Sequence, residues 1–215
     1  NGLSVPPRLT WSNVLEIAAR PRWLASVLLG RRRTLGNLAA FFPERGIGEL
    51  SAWVGGQFDP SITWRDVAWV RERWPGKLVL KGILDAGDAK QAAASGVDAI
   101  VVSNHGGRQL DGATSTIFAL PAVVDAIAGR CEVLLDGGIT CGQDVLKALA
   151  LGARACLIGK SFLYGLAAFG EHGVALALDI IRRELEISMA LCGVTDAGNI
   201  DDGVLVRDQA ITRSH

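Results

Sequence analysis

Glu132-Val-Leu-Leu-Asp-Gly-Gly-Ile-Thr-Cys-Gly-Gln-Asp-Val-Leu-Lys-Ala-Leu-Ala-Leu-Gly152 reads as one complete strand–turn–helix unit. Val133 to Leu135 is apolar on both faces, Asp136 and two glycines break the run, and a helix is predicted from Gln143 to Leu151. The same grammar recurs three times around it. Lys77-Leu-Val-Leu-Lys-Gly82 precedes an Ala-rich helix from Asp85 to Ser95 that stops at Gly96. Asp98-Ala-Ile-Val-Val-Ser-Asn104 precedes a loop and a helix around Ala119 to Ala128, and Ala155-Cys-Leu-Ile-Gly159 leads into a helical stretch from Glu171 to Leu191. Strands without a polar face that alternate with helices predict a parallel sheet with right-handed crossovers.

Every predicted strand ends in polar or Gly-rich residues: Lys81-Gly82, Ser103-Asn104-His105, Asp136-Gly137-Gly138 and Gly159-Lys160. Functional side chains at the carboxyl ends of consecutive parallel strands suit a (β/α)8 barrel, and a doubly wound sheet also binds ligands at that edge. The chain has no GxGxxG fingerprint for the doubly wound reading. A whole barrel needs eight units and typically about 250 residues. The expected fold is therefore α/β, a (β/α)8 TIM barrel of which this chain carries about the C-terminal four units. A different segment precedes them, and the predicted boundary lies near Asp59-Pro60, giving regions 1–60 and 61–215.

Composition supports that division. The 215 residues carry 22 basic and 22 acidic side chains, a balance that argues against electrostatic nucleic-acid binding. All 6 Trp lie between Trp11 and Trp74. From Arg8 to Arg45, Arg8, Arg20, Arg22, Arg31, Arg32, Arg33 and Arg45 face only Glu16 and Glu44. Cys131, Cys141, Cys156 and Cys192 form no metal-binding spacing, which predicts thiols packed as small hydrophobes in a reducing cytoplasm. No secretory leader is read at the start and no run of 18 uncharged apolar residues occurs, so no bilayer span is expected.

The chemistry concentrates in Ser103-Asn-His-Gly-Gly-Arg-Gln-Leu-Asp111. Its glycines permit a sharp turn and close approach of a ligand. His105 can take a proton near neutral pH, and Arg108 can hold a carboxylate by a two-point fork. Together they suit proton or hydride removal from a small organic acid. Taken alone, HGGR fits equally a solvated turn with a surface cation.

The longer string resembles the active-site signature of the FMN-dependent 2-hydroxy acid dehydrogenases and oxidases. Leu80-Lys-Gly82, the Asp136 to Gly152 stretch and Leu157-Ile-Gly-Lys160 agree in order and spacing. The resemblance covers essentially the whole chain and corresponds to the carboxyl-terminal half of a family member. It implies that His105 is the catalytic base and that Arg108 binds the substrate carboxylate. It further implies that Lys81 faces the N1/O2 edge of FMN and that Ser103 lies beside the ring. Asp136 would hold ribityl hydroxyls, while Gly137, Gly138, Ile139, Thr140, Gly159 and Lys160 surround the phosphate. The implied reaction oxidises an (S)-2-hydroxy acid and passes electrons to a quinone-like acceptor or oxygen. A homo-oligomer, a tetramer in the family, is also implied.

Two positions depart from the family pattern: Thr140 and Lys160 stand where arginines usually grip the phosphate. Neither replacement supplies a planar fork, so weaker FMN binding is expected. The early segment resembles the insertion after the fourth barrel strand of membrane-associated members. Trp23, Leu24, Val27, Leu28 and Leu29 beside Arg31 to Arg33 suit a bilayer surface, on the inner face of the plasma membrane. The same apolar residues would equally suit packing against protein, and an RNA-binding arm fits less well. An inactive half-barrel and a flavin-free isomerase or aldolase barrel are the rival readings of the whole.

Overall fold

A computed structural model describes residues 10–30 and 53–206. The chain divides into two compact units, Asn1–Thr63 and Trp64–His215. In the first, helices α1 (Trp11–Ala18) and α2 (Pro21–Leu29) pack together. Thr10 caps α1 by accepting from the Asn13 amide, and Pro21 occupies the first turn of α2, where its missing N–H costs nothing. Neither helix contains a buried residue. Trp11 is 86% exposed and Leu29 88% exposed. Arg31 to Arg33 lie outside the described residues.

The second unit opens with α3 (Trp64–Arg73) and then runs through β1 (Val79–Ile83), α4 (Ala86–Ala94), β2 (Ala99–Ser103), α5 (Thr116–Ile127), β3 (Glu132–Asp136), α6 (Gly142–Ala150), β4 (Ala155–Leu157) and α7 (Lys160–Leu191). The four strands form one parallel sheet in the order β1-β2-β3-β4. A strand order that never reverses is the winding of a barrel wall rather than of a doubly wound sheet. All of β2 is buried, as its two-sided apolar sequence requires. Ile100 and Val102 from β2 join Leu120, Val123 and Ile127 from α5 and Leu135 from β3 as the most deeply buried side chains.

Asp98 fastens the amino-terminal end of the sheet. Its carboxylate accepts from Lys77 Nζ at 2.7 Å, Arg71 Nη1 at 3.1 Å and the Leu78 amide at 2.9 Å. Arg71 also donates to the carbonyls of Trp74 and Gly76, so α3 is tied to the entry of β1. The hydrogen bond from Lys77, followed by that from Leu78, brings the Asp98 carboxyl down to about 2.

The carboxyl-terminal helical stretch differs from the sequence expectation. Helix begins at Lys160 rather than Glu171, and the backbone breaks at Phe169 and Gly170, where Gly170 has φ +61°. A Cβ on Gly165 would lie 2.4 Å from the Gly173 carbonyl oxygen, so the backbones before and after the break touch. Residues eight apart in one straight helix stand about 12 Å apart, so α7 is two segments folded back on each other. The sequence expectation of no bilayer span meets one exception by length and composition. By length and composition α7 could cross a membrane, with an apolar window of mean hydropathy 1.2. A long apolar helix tolerates a few charges, and the break at Phe169–Gly170 interrupts this one as a rod.

One cysteine departs from the packing expected of it. Cys131, Cys141 and Cys156 are half-buried, but Cys192 is exposed just beyond α7. All four are free. Burial, with the nearby Asp144 charge, pushes the Cys156 thiol up to about 11.

Two outcomes are expected from this packing. A Cβ at Gly142 would lie 2.0 Å from the Leu185 amide nitrogen, so Gly142→Ala should destabilise the fold by about 1–3 kcal/mol in denaturant melts. Asp98 has a depressed folded-state pKa, so its contribution is present above its unfolded value of about 3.9 and lost as pH falls. The loss is complete only below the folded value of about 2. Asp98→Asn should therefore destabilise the protein at neutral pH and flatten the acid limb of its stability profile across that window.

Candidate active site

Register builds the site at the opposite end of the sheet. Lys81 pairs with Val101, and Ser103 lies two residues further along β2 on the same face. Ser103 pairs directly with Asp136, the last residue of β3. The β1 ladder shifts between Lys81 and Ile83, a bulge with Gly82 at φ +99° immediately beyond the lysine. Lys81 Nζ consequently sits 2.9 Å from Ser103 Oγ and 2.5 Å from Asp136 Oδ2.

Ser103 is buried and fully engaged. Its hydroxyl donates to Asp136 Oδ2 at 2.6 Å and accepts from Lys81 and from the His105 amide, the latter at 3.1 Å. Burial acts to raise the Asp136 pKa, but the hydrogen bonds from Lys81 and Ser103 and the lysine charge outweigh it. The carboxyl remains below its usual range. A cation, a hydroxyl and a carboxylate from three adjacent strands are thus held in one cluster.

His105 begins a short turn, His105–Gly107, whose three residues all have left-handed φ values of 56°, 67° and 71°. Such a conformation is costly for histidine, on the order of 1–3 kcal/mol, and strain of this kind concentrates at functional sites. The imidazole is exposed, as is Arg108 at the end of the turn. The structure therefore brings Lys81, Ser103, Asp136 and the His105 backbone together and sets Arg108 on the loop beyond them.

The glycine loop after β3 is shaped by its neighbours. Gly137 has φ +94°, and a Cβ there would lie 2.9 Å from Asn104 Oδ1. Thr116 Oγ1 donates to the Gly137 carbonyl at 2.9 Å. Gly138 and Gly159 have open space where a Cβ would stand. The Ile139 side chain belongs to the hydrophobic core, leaving its backbone for any ligand. Thr140 is already engaged: its amide and hydroxyl both donate to Asp144 Oδ2 at 2.9 Å. Asp144 also accepts from the Cys141 amide, and Glu184 of α7 accepts from the Gly142 amide at 2.9 Å. Carboxylates thus occupy the amides at the start of α6. Lys160 is exposed at the start of α7.

Four contributors were missed as individual residues: Asn104, Thr116, Asp144 and Glu184. Asn104 lay within the motif without an assigned role. Asp144 four residues after Thr140 was a readable helix-capping signal. Nothing local marks Glu184, which acts across 42 positions.

Among the described residues no group of His, Cys, Asp and Glu could hold a metal ion. The family model described as FMN-dependent dehydrogenase matches residues 1–207. L-lactate dehydrogenase of Caulobacter sp. (strain K31) is 46% identical over 203 residues, covering 94% of this chain and 53% of that protein. L-lactate dehydrogenase of Pseudomonas aeruginosa (strain LESB58) is 46% identical over 197 residues, covering 91% and 52%. The crystal structure of monotopic membrane protein (S)-mandelate dehydrogenase has a TM-score of 0.89 at 35% identity, covering 95% of this chain and 54% of that one. A mandelate oxidase solved with a monooxide FMN adduct has a TM-score of 0.61 at 48% identity, covering 68% and 45%. The chain spans about half the length of the curated relatives it matches. With the motif, the strand-end cluster and these likenesses in agreement, the chain belongs to the FMN-dependent dehydrogenase family.

Proposed function

We propose that the full-length protein containing this chain oxidises an (S)-2-hydroxy acid, of the L-lactate or mandelate type, to the 2-oxo acid with FMN as cofactor. The observation that carries this reading is the cluster of Lys81, Ser103 and Asp136 at adjacent strand ends, beside the strained turn that presents His105. The residues fit FMN: the Gly138 and Gly159 backbones are open to a phosphate, and one cation and several hydrogen-bonding groups meet at the strand tops.

When bound, FMN supplies the acceptor for the substrate's hydride. Lys81 would supply a cation to the isoalloxazine, with Ser103 alongside. Asp136 holds ribityl hydroxyls, and the backbones of Gly137, Gly138, Ile139 and Gly159 receive the phosphate together with the Lys160 ammonium. Thr140 joins that set only by releasing Asp144, which deepens the loss of the family's arginine at this position. His105 accepts the proton of the substrate hydroxyl, and Arg108 grips the substrate carboxylate by its fork.

Region 1–60 is read as the insertion after the fourth barrel strand, lying on a membrane surface. The exposed Trp11, Leu15, Leu28 and Leu29 of α1 and α2 support this, as does the likeness to a monotopic membrane protein. That location, on the cytoplasmic face, favours a quinone-like acceptor over oxygen. The assembled enzyme is read as a homo-oligomer.

In the full-length enzyme, His105→Ala should abolish bleaching of the flavin absorbance by L-lactate and (S)-mandelate while FMN stays bound. Full-rate bleaching would remove His105 from the reaction. Arg108→Lys should raise the half-saturating substrate concentration about ten- to hundredfold, the worth of one charged hydrogen bond of about 1.5–3 kcal/mol. Wild-type protein should sediment with membranes and be released by detergent more fully than by salt, because salt screens only the electrostatic part of the attachment. Combining Trp23→Ser, Leu28→Ser and Leu29→Ser should solubilise it while its rate with a soluble dye acceptor persists. Wild-type protein found wholly in the soluble fraction at low ionic strength would exclude the anchor.

A further inference from the structure

We infer that Asn104 is the positioning residue that fixes the base and the carboxylate-binding arginine relative to the cofactor loop, an inference that rests on the functional reading above. Its amide uses both ends. Oδ1 accepts from the Gly106 amide at 3.0 Å, and Nδ2 donates to the Thr114 carbonyl at 3.1 Å. The first bond holds the turn in which His105 is kept at φ 56°. The second closes the loop from residue 104 to residue 114, which carries Arg108.

The same oxygen also reaches the glycine loop that follows β3. It would lie 2.9 Å from a Cβ at position 137, so it packs against the backbone of Gly137. Thr116, just past the closed loop, donates to the carbonyl of that glycine. The loop bearing the base therefore packs through Asn104 against the loop proposed to hold the cofactor, and the hydrogen bond from Thr116 holds that second loop beside it. Proton and hydride leave the same substrate carbon–oxygen unit, so their two acceptors must keep a fixed separation. A misplacement of about 1 Å costs on the order of 100-fold in rate.

Few side chains can do both tasks. Serine can keep a local bond to the Gly106 amide as a Ser turn but is too short to reach Thr114. Alanine does neither. Asn104→Ser and Asn104→Ala therefore separate the hold on the turn from closure of the loop.

The test is rapid anaerobic mixing of the full-length, FMN-loaded enzyme with L-lactate and with (S)-mandelate, alongside FMN content and thermal melting. Asn104→Ala should lower the limiting rate of flavin bleaching roughly ten- to hundredfold and raise the half-saturating concentration, while FMN stays bound and melting stays cooperative. Asn104→Ser should regain most of the limiting rate but keep the raised half-saturating concentration. A merely structural residue would not split these two quantities. Wild-type values in both variants, or parallel loss of FMN and of cooperative melting in both, would overturn the inference. Wild-type enzyme that binds no FMN or is not bleached would instead refute the functional reading itself, and the inference would fall with it.

Discussion

A single buried hydroxyl joins three strands. Ser103 donates to Asp136 on β3 while accepting from Lys81 on β1 and from the amide that begins the His105 turn. A buried polar group without partners costs about 1–3 kcal/mol, and none of the buried side-chain polar atoms among the described residues lacks one. That requirement makes the cluster a constraint as well as a site. The parallel register must bring Ser103 level with Asp136 and on one face with Lys81, and it does so in the same alignment that buries Ile100, Val102 and Leu135.

The two ends of the sheet consequently do different work. At the amino-terminal end, Asp98 gathers Lys77, Arg71 and the Leu78 amide, ties that stabilise the wall and leave no group poised for chemistry. At the carboxyl-terminal end the Ser103 ties hold a backbone that is itself bent: a bulge at Gly82, a left-handed histidine, and a glycine loop pressed against Asn104. Stability at one end permits strain at the other, the usual division of labour in parallel barrels. The start of α6 is an exception to an open binding edge, because Asp144 and Glu184 occupy its amides. In the functional reading proposed above, the phosphate is therefore left to the glycine backbones and Lys160.

Much of this was legible in the sequence because it is local. Two-sided apolar runs mark β2 and β3 to within a residue, Asp85 and Gly96 bracket α4, and the Ser103 to Asp111 string carries the family resemblance. What was not legible is tertiary. The reversal at Phe169–Gly170 sets Gly165 against Gly173 across the break, which helical periodicity does not foretell, and the capping of Gly142 by Glu184 depends on α6 packing against α7. The tie between Thr140 and Asp144 is local, but a reading of Thr140 as a phosphate ligand left it aside. The exposure of Cys192 follows from where α7 ends, which composition does not specify.

We propose that the cluster held by Ser103 is a ready-made seat for FMN. The most direct test is the FMN dissociation constant of the full-length apoprotein, compared between wild type and Ser103→Ala. Removing the hydroxyl takes one hydrogen bond to a charged group away from each of Lys81 and Asp136, and such bonds are worth about 1.5–3 kcal/mol. The expected result is at least roughly tenfold weaker FMN binding by the variant, with retained folding. Equal dissociation constants for the two proteins would contradict the account.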